Sequence, residues 1–226
     1  TGYDLVRLMA GSRGTLGILT EVALKVLPAP ETEATLTLYG LDEARAQKAM
    51  ARALGTPFEV SGAAHLPGHG TALRLEGFGE QVAYRAAQLA RALAPFGQAH
   101  VEEDAAASAA LWAAIRDVAG FADRAGDVWR ISVKPSDGPR AGAAIGAEAL
   151  IYDWAGGLIW ALVAPGQDIR PALAGIGGHA TLVRAGPETR ARIASFQPEA
   201  APVAALARGL RAQYDPRGIL NPGLMG

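Results

Sequence analysis

The 226-residue chain contains no cysteine. A disulfide framework, a thiolate zinc site and a Cys-ligated iron–sulfur cluster are therefore excluded, and any iron–sulfur electron acceptor has to sit on another chain. Lysine occurs only at Lys25, Lys48 and Lys134, so arginine carries most of the positive charge, which reads as compositional bias. There is also no surplus of either sign: 21 Lys+Arg stand against 22 Asp+Glu, for a net charge of -1, and nucleic acid is a poor partner. Long hydrophobic runs are missing. The longest, from Gly156 to Gly166, is far short of the roughly 20 residues that span a bilayer, so no transmembrane segment is expected. The four histidines, His65, His69, His100 and His179, form no close pair at ligand spacing, and no metal is expected. No targeting segment is visible, and the chain opens on Thr1 inside a motif-rich stretch. The expectation is a piece of a longer protein, cytoplasmic by default.

Half of the residues are hydrophobic, enough for one sizeable core or for one domain plus part of another. Residues 1–30 read differently from the rest: a glycine-punctuated turn leads into an alternating stretch at 18–27, which predicts a half-buried strand ended by Pro28 and Pro30. From there the pattern predicts β-α-β-β-α-β. Strands are expected at 35–39, 58–63 and 72–76, with a short one at 100–103. A helix capped by Asp42 runs to 54 with Ala46, Ala49, Met50 and Ala53 on one face, and a second runs from 80 to 94. A helix at 105–118 carries Leu111, Trp112, Ile115 and Val118. The same order then recurs: a strand at 128–134, a helix at 139–147, a hairpin at 150–163 turning at Ala155-Gly156-Gly157, a short helix at 168–175 and a strand at 180–183. A last helix at 202–213 precedes a Pro/Gly-rich tail. Duplicated, ferredoxin-like split βαβ units imply an α+β fold: one large antiparallel sheet with helices on one face, the other face left free for a cofactor or a second domain.

Two motifs sit at the chain ends. Gly11-Ser12-Arg13-Gly14-Thr15-Leu16-Gly17 places three glycines in seven residues, which lets the backbone turn tightly or approach a flat or anionic ligand. It is neither a Walker A sequence nor a Rossmann G-x-G-x-x-G, and an ordinary tight turn before a strand also accounts for it. The tail, Tyr214-Asp215-Pro216-Arg217-Gly218-Ile219-Leu220-Asn221-Pro222-Gly223, reads by itself as a helix stop followed by a turn.

The string from Asp4 to Val22 resembles the last flavin-contacting segment of the FAD domain of vanillyl-alcohol-oxidase-type enzymes. The tail resembles the C-terminal signature of the same flavoenzymes. Between them, Val128-Trp129-Arg130-Ile131-Ser132-Val133-Lys134-Pro135, Ile151-Tyr152-Asp153-Trp154-Ala155-Gly156-Gly157-Leu158-Ile159-Trp160 and Gly177-Gly178-His179-Ala180-Thr181 resemble the FAD-binding E subunits of bacterial glycolate oxidases. This resemblance implies the end of an FAD-binding domain at residues 1–30, an FAD-linked oxidase C-terminal domain at 31–213, and a tail at 214–226 that returns to the flavin. It implies that Gly11, Ser12, Gly14, Thr15, Leu16, Gly17 and Ile18 contact FAD largely through backbone atoms, with Asn221 as a polar contact, so that the two chain ends meet across one flat cofactor. Arg13 stands where relatives commonly carry an acidic residue. The pyrophosphate-binding part would lie upstream of Thr1, so the chain as given is expected to purify without FAD.

The activity implied is oxidation of a small 2-hydroxyacid, glycolate to glyoxylate. The partners implied are a second flavin subunit and an iron–sulfur subunit, through which the protein would sit peripherally at the inner membrane. Arg130 is the candidate for holding a substrate carboxylate, or else pairs with a structural carboxylate such as Asp153. His179 takes a hydroxyl proton or bonds the flavin, or is a structural histidine. Trp154 and Trp160 line a flavin face or pack in the core. His65 and His69 receive no role. Many relatives carry histidines and a glutamate around a divalent metal, and their absence here favours the alternative of a non-catalytic assembly or electron-relay module. A ligand-binding α+β module is a third reading that would need neither terminal motif.

Overall fold

The computed structural model describes Gly2 and residues 4–225. The chain divides into two compact units, Thr1–Leu27 with Ala194–Gly226, and Pro28–Ile193. The first unit begins with the short helix α1 (Leu5–Met9), whose N-cap Asp4 accepts a hydrogen bond from the Arg7 backbone N–H. The strand expected at 18–27 does not form. Alternation makes a strand only where a neighbour supplies the other half of the ladder, and no described residue pairs with this stretch. Its apolar side chains stay in solvent, with Ile18 81% and Leu24 80% exposed.

The second unit carries the sheet. Its first repeat runs β1 (Thr32–Leu38), α2 (Glu43–Leu54), β2 (Gly62–Leu66), β3 (Gly70–Gly77), α3 (Gly79–Ala92) and β4 (Ala99–Glu102). Helix α2 starts where Asp42 accepts from the Arg45 backbone N–H at 2.7 Å, and it buries Ala46, Ala49, Met50 and Ala53. Ala49, Met50 and Ala53 of that stripe and Val82, Ala86 and Leu89 of α3 pack on Ala34, Leu36, Leu38, Leu73 and Leu75 of the sheet. Strand β2 begins later than the expected position 58, because Glu59 sits in the left-handed region (φ 51°) and breaks the extended run.

Helix α4 (Ala105–Arg116) links the repeats. The second repeat is β5 (Asp127–Val133), α5 (Gly138–Ala144), β6 (Ala149–Asp153), β7 (Leu158–Val163) and β8 (Gly178–Arg184). Between β7 and β8 the expected helix at 168–175 is reduced to a 3-10 turn at Pro171–Leu173. A helix not expected from sequence, α6 (Pro187–Arg192), follows β8. The first unit then resumes with α7 (Ala201–Tyr214).

Among the described residues the eight strands form one antiparallel sheet, ordered β4-β1-β3-β2-β6-β7-β5-β8. Each repeat contributes four strands in its own order fourth-first-third-second, and the two second strands, β2 and β6, meet in the middle. Their ladder consists of a single residue pair, His65 opposite Tyr152. Period-two alternation then sorts side chains between the faces. Leu36, Leu73, Trp129, Ile131, Ile159 and Leu182 point to the face covered by α2, α3 and α5. Thr35, Ala64, Ala72, Val128, Ile151 and Leu162 point to the other. Helix α4 crosses part of that second face and is pinned there by a buried relay: Trp112 Nε1 donates to Thr35 Oγ1 at 2.8 Å, Thr35 bonds Ser108 Oγ at 2.7 Å, and Ser108 donates to Glu33 Oε1 at 2.7 Å.

Candidate functional site

In the terminal unit the glycine loop is a real turn. Gly11 (φ 84°) and Gly14 (φ 71°) occupy the left-handed region, as does Arg13 (φ 53°) between them. Ser12 O accepts from the Thr15 backbone N–H at 3.0 Å and from Thr15 Oγ1 at 2.7 Å, which closes the loop. The tail is organised by Asp215, whose carboxylate accepts from the Leu220 backbone N–H at 2.7 Å. That hydrogen bond, with further backbone N–H groups of the tail, holds its carboxyl below the usual carboxylate range.

The two motifs touch. Asn221 Nδ2 donates to the Arg13 backbone carbonyl at 2.8 Å, across 208 positions of sequence. Asn221 itself adopts φ 45°, the left-handed turn that aims its amide. Gly14 is required at this contact, because a Cβ there would sit 2.9 Å from Asn221 Nδ2. An open cleft of about 480 Å³ lies beside it, lined by Ser12, Gly14, Gly17, Ile18, Leu220 and Asn221 among others. Along that wall, the backbone groups of Gly14 and Gly17 to Leu19 make no hydrogen bond among the described residues. Unspent N–H and C=O groups beside a Cβ-free approach suit the polar edge of a flat heteroaromatic ring such as a flavin. Of the expected cofactor residues, Ser12, Gly14, Gly17, Ile18 and Asn221 line the cleft. Thr15 and Leu16 are buried, and Gly11 shapes the turn.

The sheet unit has its own cleft, on the face α4 partly covers. It encloses about 660 Å³ between α4 and strands β2, β3, β5, β6 and β7, with Arg74, Trp112, Arg130, Asp153, Trp154 and Trp160 in its wall. Three of the chain's four tryptophans thus line one opening. Arg130 faces Trp160 on β7 and Thr181 on β8. Its guanidinium lies over the Trp154 indole, 5.2 Å from the ring centre, and makes no ion pair with a described residue. The expected alternative, pairing with Asp153, does not occur. Asp153 instead accepts from the Trp154 backbone N–H at 2.7 Å, and burial pushes its carboxyl above the usual range against the opposing pull of that bond and of Arg74.

His179 is exposed and stands opposite Ser132, which puts it on the same face as Arg130 one strand away and outside the wall of the cleft. Trp154 is 56% exposed and is not a core residue. Sequence reasoning gave it no firm place because its outward projection depends on a left-handed backbone that no residue type announces. It also missed Arg74, whose strand position carries no motif. Among the described residues, no group of three or more His, Cys, Asp or Glu side chains is placed to hold a metal. No helix among them is long and apolar enough to cross a membrane.

No family model matches the sequence. Glycolate oxidase subunit GlcE of Escherichia coli (strain K12) is 35% identical over 227 aligned residues, covering 99% of this chain and 57% of that subunit. Two shorter matches are to glycolate oxidase subunit GlcD of Bacillus subtilis (strain 168), 57% identical over 47 residues, and to D-lactate dehydrogenase of Anaerostipes hadrus, 55% identical over 38 residues. These cover 20% and 17% of the chain, and 10% and 8% of the relatives. The chain spans little more than half the length of the GlcE subunit and far less of the other two. Over 99% of its length the chain is similar to the glycolate oxidase subunit GlcE, and it carries a duplicated antiparallel sheet.

Proposed function

We propose that this chain is part of an FAD-dependent oxidoreductase subunit that oxidises a small 2-hydroxyacid, glycolate to glyoxylate, within a multi-subunit complex. The observation that carries the proposal is the hydrogen bond from Asn221 to Arg13, which closes the two terminal motifs around one cleft. In this reading residues 1–30 end an FAD-binding domain, residues 31–213 form the α+β domain, and residues 214–226 return to the flavin. Gly11, Ser12, Gly14 to Ile18 and Asn221 hold the ring edge, mainly through backbone groups. FAD, when bound, supplies the acceptor for the hydride equivalent leaving the substrate α-carbon.

The chain's own side chains bind and orient. Arg130, without a carboxylate of its own, takes the substrate carboxylate. His179, exposed on the same face, takes the hydroxyl proton. The similarity to subunits named GlcE and GlcD supports an assembly with a second flavin subunit. An iron–sulfur subunit would then receive the electrons, since a chain without cysteine has no cluster ligands of that kind. The complex would be cytoplasmic, peripheral to the inner membrane through its partners.

The test is anaerobic addition of glycolate to the natural protein separated from its partners, following the visible absorbance of its flavin. The proposal expects bleaching at a rate compatible with turnover. A flavin that stays oxidised until the partner subunits are restored would assign this chain the assembly or electron-relay role instead.

A further inference from the structure

Of the guanidinium groups lining the sheet-face cleft, Arg130 stands apart. Arg74 also lies over an indole, 5.1 Å from the Trp112 ring centre, but it is paired with Glu76 at 3.2 Å and donates to Ser61 at 3.2 Å. Arg116 is paired with Asp117 at 2.7 Å. Arg130 has only the face of Trp154. A cation held by an aromatic face keeps its in-plane N–H fork unspent, and that fork is the geometry that takes a carboxylate through two parallel hydrogen bonds.

Trp154 is in place for this because the backbone forces it there. Trp154 (φ 51°), Ala155 (φ 56°) and Gly156 (φ 97°) are three successive residues in the left-handed region, and two of them carry a Cβ. Such a run is unfavourable by itself and persists only where surroundings over-determine it. Here they do. Asp153 Oδ1 accepts from Trp154 N, Trp154 O accepts from Gly157 N at 3.0 Å, and Ala155 and Gly156 are buried. Gly156 is packed so closely against Gly138 that a Cβ on Gly138 would overlap the Gly156 carbonyl. The turn thus buries its two small residues and turns the large indole outward, over the one cleft arginine without a carboxylate.

We propose that Trp154 is a positioning residue for Arg130: its indole holds the guanidinium flat so that the free edge addresses a small monocarboxylate in the cleft. This rests on the reading of Arg130 as the carboxylate-binding group. It assigns to the strained Asp153–Gly156 turn the task of presenting that group. The requirement is for an aromatic face, not for bulk.

The experiment compares Trp154→Phe with Trp154→Leu in the natural protein, each checked by thermal unfolding. Two quantities are read: KM and kcat for glycolate, and calorimetric binding of oxamate, an unreactive carboxylate. The phenylalanine variant keeps KM and oxamate affinity within about threefold of the wild type. The leucine variant weakens both by about tenfold while kcat changes little, the pattern of lost binding rather than lost chemistry. Arg130→Ala removes oxamate binding. Equal behaviour of the Phe and Leu variants, or wild-type oxamate affinity in Trp154→Leu, overturns the proposal and leaves the proposed oxidation untouched. Oxamate binding that follows the expected series in a protein whose flavin glycolate never reduces would keep the positioning role and overturn the proposed reaction.

Discussion

His65 is 2% exposed at the single ladder pair that joins the two halves of the sheet among the described residues. Its Nδ1 bonds Thr71 Oγ1 at 2.9 Å, its Nε2 has no partner among the described residues, and its ring lies 6.0 Å from that of Tyr152. Burial lowers its pKa below 6.5, against the weaker opposite pulls of Glu43, the Gly70 backbone and Asp42. The unfolded chain therefore binds the extra proton first. The stability this histidine supports is complete above 6.5 and is lost as pH falls through its folded value. Denaturant titrations between neutral pH and pH 5 are expected to show stability falling with acidification, by at most about 1.4 kcal/mol per pH unit from this group, and His65→Leu is expected to flatten that slope. An unchanged slope in the variant would place the acid sensitivity elsewhere.

At the scale of elements, the cleft in the sheet unit exists because α4 is fixed to one face by the relay from Trp112 through Thr35 and Ser108 to Glu33. Thr35 and Ser108 are each 1% exposed, so a broken link leaves buried donors and acceptors unmatched. Thr35→Val keeps the shape and removes the central hydroxyl. It is expected to cost about 1–3 kcal/mol of unfolding free energy and to increase the exposure of Trp112 to fluorescence quenchers. A neutral effect on both would mean that packing of Trp112 and Ile115 alone holds the helix.

This element also marks where the sequence stops being readable. The Ala46, Ala49, Met50 and Ala53 stripe announces α2, and the recurrence of strand and helix patterns announces the duplicated sheet, because both are local periodicities. The placement of α4 rests on side chains 73 to 77 positions apart, and no local pattern carries that. The same holds for Trp154, whose outward turn needs a left-handed pair that tryptophan and alanine do not signal. Helix α6 did carry a signal, Pro187 in the first turn and Arg190 and Arg192 in the last, but it is too short to show a periodicity. The stretch 18–27 has a strand's alternation without a strand's partner. Resemblance, more than residue chemistry, directed attention to the glycine loop and the tail together, since each alone reads as an ordinary turn.

At the scale of the whole molecule, the account joins a terminal unit whose loop and tail share a cleft with a sheet unit whose open face carries an arginine free to bind a carboxylate. Its central claim is that the first of these holds the flavin. Gly14→Ala tests it most directly, because the added Cβ meets a backbone at φ 71° and lies 2.9 Å from Asn221 Nδ2. The measurement is the flavin content per chain of the natural protein and of this variant, purified side by side, with unfolding of the sheet unit as the control. The account predicts that flavin content falls several-fold in Gly14→Ala while the sheet unit unfolds as in the wild type. Full flavin occupancy in the variant would contradict it.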